Sequence, residues 1–185
     1  MKKQFFSAIF IACILFVGSA TVDARAPLSF SGQAGFAIPQ GDAFGDIGFG
    51  FSVDIDALWH FNQLNYRLGV GLAYNTSFLL AASDIEDVSL STLNLFGVRG
   101  YYRFLNTRIS PYGALTVGLG QFTDAIREES AFGLGIRPEI GVEFRRFVIS
   151  VGYTVPMSYS LNGNDPVTAG GLQFSLGTRI NLFRR

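Results

Sequence analysis

The chain has 185 residues, 49% hydrophobic and 15% aromatic, with 14 basic and 14 acidic residues and therefore no formal net charge. That balance gives no overall charge argument for a nucleic-acid partner. The single cysteine, Cys13, rules out an internal disulfide framework.

Residues 1–24 read as a secretory signal peptide. Met1-Lys2-Lys3 supply the charged start and Phe5 to Val17 the apolar core. Small-residue cleavage patterns place the cut after Ala20 or after Ala24. The apolar run is shorter than the roughly 20 residues a membrane-crossing helix needs, which argues against a retained anchor. Both lysines and Cys13 lie in this segment. With the cut after Ala24, removing the two lysines leaves 12 basic residues, all Arg, and removing Asp23 leaves 13 acids.

From residue 25 to 185 the dominant signal is an alternation of period two, which belongs to strands with unlike faces. Turn-like segments divide it into eight stretches, approximately 28 to 38, 47 to 61, 66 to 79, 90 to 104, 110 to 122, 131 to 145, 147 to 160 and 171 to 183. In the third, Tyr66, Leu68, Val70, Leu72 and Tyr74 share one face, and Arg67, Gly69, Gly71, Ala73 and Asn75 the other. In the sixth, Phe132, Leu134, Ile136, Ile140, Val142 and Phe144 alternate with Gly or charged residues. A water-facing exterior would be dense in Lys, Glu, Gln and Thr, whereas this polar face is mostly Gly, Ser and Ala with a few Arg, Asp and Glu. Such a face suits the lumen of a narrow barrel, and the aromatic-rich face suits lipid. No later stretch approaches a transmembrane helix, and in lipid only a closed barrel would satisfy this backbone.

The connections alternate in length. Asn62 to Asn65, Leu105 to Arg108 and Arg145-Arg146 are tight. Pro39 to Asp46, Leu80 to Ser89, Thr123 to Ser130 and Leu161 to Gly170 are longer. Short turns facing the periplasm and longer loops facing outward put both termini in the periplasm. The longer loops gather Asp42, Asp46, Asp84, Glu86, Asp87, Asp124, Glu128, Glu129 and Asp165, and the tight-turn end gathers Arg103, Arg108, Arg145, Arg146, Arg184 and Arg185. Trp59, Phe61, Tyr66, Tyr102, Phe104, Phe144 and Phe147 form the expected girdle at the tight-turn end. Phe49, Phe51, Phe78, Phe132, Tyr159 and Phe174 form the other.

Lumen parity collects Asp54, Asp56, Arg67, Arg99, Arg103, Arg137, Glu139, Glu143, Arg145 and Arg179. Both signs in a narrow barrel predict an ion-pair network of Asp54, Asp56, Arg67, Arg99, Arg137, Glu139, Glu143 and Arg179 that plugs it; the other reading of the same charges is an ion-selective constriction. His60, the only histidine, shares this parity. Ser52 lies eight residues away, about 26 Å along an extended strand, so the two cannot form a local dyad. Gly48-Phe49-Gly50, Gly69-Val70-Gly71 and Gly118-Leu119-Gly120 lack the helix and Lys-Ser/Thr of a phosphate loop. No catalytic residue, no cofactor site and no metal-ligand spacing is predicted, although the acidic loops could hold divalent cations weakly.

The signal peptide, the Leu68-Gly69-Val70-Gly71-Leu72 pattern and the last strand, Leu172 to Phe183, resemble the eight-stranded OmpA-like and OmpX-like barrels of the outer membrane protein beta-barrel domain family. The resemblance covers the whole segment after the signal. It implies an all-β, closed, eight-stranded, antiparallel up-and-down transmembrane barrel in a Gram-negative-type outer membrane. It further implies outer-membrane lipids as surroundings, and the barrel-assembly machinery and periplasmic chaperones as partners in biogenesis. That family usually ends on an aromatic residue, whereas Arg184 and Arg185 follow Phe183 here. The expected role is non-enzymatic, in envelope structure or surface interaction through the acidic loops with an unspecified surface ligand. The alternatives are a small-solute channel and, behind it, a lipid-modifying enzyme, which would need a second catalytic residue beside His60 in space.

Overall fold

The computed structural model describes residues 27–42, 49–82, 88–105, 107–124, 129–159 and 167–182. The signal segment, most of the longer loops and residues 183–185 lie outside these, and with them most of the predicted acidic rim.

Eight strands follow one another in chain order: β1 (Leu28–Gln40), β2 (Gly50–His60), β3 (Leu68–Ala82), β4 (Val88–Arg103), β5 (Ile109–Asp124), β6 (Glu129–Phe144), β7 (Phe147–Tyr159) and β8 (Val167–Leu182). Each pairs antiparallel with its neighbours, and β8 returns to β1 to close the barrel. The only helical element among the described residues is a 3₁₀ turn at Asn62–Leu64, capped by Asn65 in the left-handed region. No helix among the described residues is long and apolar enough to cross a membrane.

Two-residue alternation sets the faces. Leu134, Ile140, Val142 and Phe144 of β6 are exposed on the outside, whereas Gly135, Arg137, Glu139 and Glu143 are buried within. Exposure of so many large apolar side chains is sensible only against lipid. On the loop side, Phe174, Phe36, Phe51 and Phe78 stand directly opposite one another on β8, β1, β2 and β3 and form one continuous outward row. Trp59, Phe61, Tyr102, Phe104, Phe144 and Phe147 are exposed at the turn end. Two residues depart from the sequence expectation. Tyr159 points into the lumen and is buried against Phe122. Tyr66 sits in the turn before β3 with φ 58°, where the alternation has not begun.

One seam interrupts the wall. The register between β6 and β7 covers only Glu139–Phe144 against Phe147–Gly152. It ends where Pro138 would come opposite Tyr153, and proline has no N–H with which to extend a ladder. Toward the loops, β7 instead bulges between Thr154 and Met157 in its pairing with β8, around Pro156. A side chain at Gly170 would strike the Pro156 backbone, so glycine is needed there for close approach.

Candidate functional site

The lumen is filled with side chains in layers. At the turn end, Ser29 Oγ lies 2.8 Å from His60 Nε2, and the imidazole stands edge-on to Tyr101 with ring centroids 5.6 Å apart. Leu58, Tyr101, Tyr112 and Val148 make an apolar layer beside them. The Arg179 guanidinium lies 4.5 Å from the centre of the Tyr101 ring, a cation–π contact inside the barrel.

Above this layer lies a set of four arginines and four carboxylates. Arg103 and Arg179 both pair with Glu143, and Arg179 also reaches Asp56 at 3.1 Å. Arg99 holds Glu139 through two nitrogens, at 2.5 and 3.2 Å, and its Nε lies 3.4 Å from Asp56, an electrostatic contact without hydrogen-bond geometry. Arg137 bridges Glu139 at 2.6 Å and Asp54 at 3.2 Å. Apart from Arg103, these side chains are at most 8% exposed. The charged members all come from even-numbered strands: Asp54 and Asp56 from β2, Arg99 and Arg103 from β4, Arg137, Glu139 and Glu143 from β6, and Arg179 from β8.

Neutral groups complete the set, as buried charges require. Tyr112 donates to Glu139 at 2.7 Å, and Asn75 and Ser175 donate to Asp54. Gln173 accepts from Arg137 Nε at 2.8 Å and donates to Ser77 at 2.7 Å. Space for the largest members is made by glycine. A Cβ at Gly152 would sit 2.5 Å from an Arg137 nitrogen, and one at Gly141 would sit 2.6 Å from the Tyr112 ring. Toward the loops a second apolar cluster of Ala37, Leu79, Leu93, Phe122, Ala131, Tyr159 and Ala169 caps the charges.

Of the predicted network residues, Asp54, Asp56, Arg99, Arg137, Glu139, Glu143 and Arg179 thus lie in mutual contact. Arg67 does not join them. It is half-buried ahead of β3, its Nε has no hydrogen-bond partner, and no ion pair joins it among the described residues. Arg145, also of lumen parity, is exposed in the β6–β7 turn with φ 58°. Parity put Asn75 on the polar face but did not single it out as a partner of the charges, nor Tyr112, Gln173 or Ser29.

Ser29 supplies the second residue beside His60 that an enzyme would need. The pair is nevertheless closed: Ser29 and His60 are 0% and 3% exposed, and His60 Nδ1 has no hydrogen-bond partner to orient the ring as a base. A Cβ at Gly69 would come within 2.9 Å of that same nitrogen. Both side chains are shut off from solvent, and the hydrogen bond fastens β1 to the end of β2. Among the described residues no group of three His, Cys, Asp or Glu could hold a metal ion. The loops proposed as weak cation sites lie outside those residues.

No protein-family model matches the chain, and no curated protein matches it. Among solved structures it is similar to the crystal structure of Neisserial surface protein A, at 18% identity over 85% of this chain and 98% of that one, with a TM-score of 0.57. It is also similar to Ail, the attachment invasion locus protein of Yersinia pestis, in complex with the heparin analogue sucrose octasulfate. That likeness covers 83% of this chain and 97% of that one at 19% identity, with a TM-score of 0.47. The class of protein defined by the closed wall and its apolar exterior is the small eight-stranded membrane β-barrel. Within that class the chain shares the closed eight-stranded fold of Neisserial surface protein A.

Proposed function

We propose that this protein is a non-conducting, non-enzymatic barrel of the outer membrane that serves envelope structure or surface interaction. In this reading the turn end and both termini face the periplasm, and the acidic loops face outward. The observation that carries it is the filled lumen, in which charge-balanced ion pairs are sealed between two apolar layers. A permeation path needs water-lined charge, whereas these side chains are shielded from solvent and paired with one another. The burial of Ser29 and His60 supports a fastening role over hydrolysis.

The test is conductance of the purified, folded protein in planar bilayers. The expected result is near silence, with brief leakage when a lumen ion pair is broken by substitution. Steady, large, ion-selective currents from the unaltered protein would replace this reading with a small-solute channel.

A further inference from the structure

We infer that Arg108, Arg145 and Arg146, at the β4–β5 and β6–β7 turns, form a binding site for the phosphodiester headgroup of an anionic phospholipid in the leaflet on the turn side. The inference rests on the proposed membrane setting of the barrel, but not on whether its lumen conducts.

The residues come together through the backbone. Arg145 N–H donates to the Arg108 carbonyl at 3.3 Å, and Arg179 N–H donates to the Arg146 carbonyl at 2.7 Å, so three arginines rise from adjoining points of one rim. Arg108 and Arg145 are exposed and Arg146 is half-exposed, and none of the three has an ion-pair partner among the described residues. The segments 103–110 and 144–147 contain no Asp or Glu that could neutralise them.

Beneath the arginines lies an apolar row on the outer wall. Ile109 stands opposite Phe144, and Phe144 opposite Phe147; all three are exposed. Each is the chain neighbour of one arginine, through Arg108-Ile109, Phe144-Arg145 and Arg146-Phe147. Fixed positive charge therefore sits directly above lipid-facing side chains, an arrangement that matches a headgroup phosphate continuous with its acyl chains.

The backbone of Arg145 adds an independent observation. Its φ of 58° is a left-handed conformation that a tight hairpin turn ordinarily gives to Gly or Asn. An arginine costs more there, and its guanidinium lies 5.6 Å from the Phe144 ring centre. That stacking directs the charge over the apolar row while leaving its N–H groups open to an anion.

The experiment is native mass spectrometry of the folded protein in detergent, titrated with phosphatidylglycerol or phosphatidylcholine. The unaltered protein is expected to retain phosphatidylglycerol preferentially, and to lose that preference in high salt. The R108Q/R145Q/R146Q variant should bind it more weakly, on the order of tenfold to a hundredfold. R67Q, on the turn between β2 and β3, should bind as the parent does. Equal retention of both lipids by the parent, or equal weakening by R67Q and the triple variant, overturns the site. Should the triple variant not fold, the lipid preference and salt response of the parent still decide. A silent barrel without lipid preference would refute this site alone; a conducting barrel with the preference would refute the plugged lumen alone.

Discussion

Glu139 receives Arg99, Arg137 and Tyr112 at once, so it is the position where charge and shape can be separated most cleanly. Glu139→Gln keeps the size of the side chain and leaves the guanidiniums without their shared anion. The expected loss is about 3 to 5 kcal/mol, the usual cost of orphaning a buried charge. Urea unfolding in lipid vesicles measures it, and an unchanged midpoint would mean that water already reaches the pair. Such inward charges were legible because parity alone assigns a strand residue to a face. Arg67 and Arg145 lie in turns, ahead of β3 and between β6 and β7, where parity no longer assigns a face. Tyr66 and Arg145 both take positive φ, so the chain leaves the pleat at the turns. Contacts across the lumen, such as Gln173 with Asn75 and Ser77, depend on eight registers at once and leave no trace in local spacing.

At the level of strands, lipid-facing apolar residues made the transmembrane parts readable, and the errors fall outside them. β8 begins at Val167, earlier than the alternation suggested, and β3 and β5 run on to Ala82 and Asp124. Val167-Thr168-Ala169-Gly170 offers no large apolar residue at every second position, so no unlike faces marked the start of β8. The membrane face itself is testable. Ile140 is 67% exposed on β6, and Ile140→Arg should destabilise folding in lipid by about 2 to 4 kcal/mol if it lies near mid-membrane, whereas Ile140→Leu should be neutral. A refolding titration that gives equal values would reverse the assignment of the faces. The short β6–β7 ladder makes a second prediction. Backbone amides of residues 129–137 and 153–159 that point across the β6–β7 seam should exchange with deuterium before those of residues 69–79 on β3 and 92–102 on β4, which are paired on both sides. Uniform protection around the wall would show that the seam is bridged. Pro138 and Pro156 were visible in the sequence, but the interruption became evident only once the partner strand of each was known.

For the molecule as a whole, a wall closed by the β1–β8 pairing has no free edge at which to begin unravelling. Detergent-folded protein should therefore be almost wholly β by circular dichroism and should change its gel mobility on boiling. A helical spectrum, or identical mobility before and after heating, would count against the architecture. The placement of lumen charge on even-numbered strands also has a consequence for assembly. Taken as successive hairpins, β1–β2 brings two negative charges, β3–β4 two positive, β5–β6 one negative and β7–β8 one positive. Neighbouring hairpins therefore carry opposite signs all the way round, including across the closing junction, and the negative charge left over by β5–β6 is balanced when Arg179 arrives with the last strand. The sequence of hairpins is thereby written twice, once in the connecting turns and once in charge. An arrangement that brought β1–β2 against β5–β6 would gather Asp54, Asp56, Glu139 and Glu143 with Arg137 as the one basic member of the network on those strands, so charge in the interior works against misordered closure.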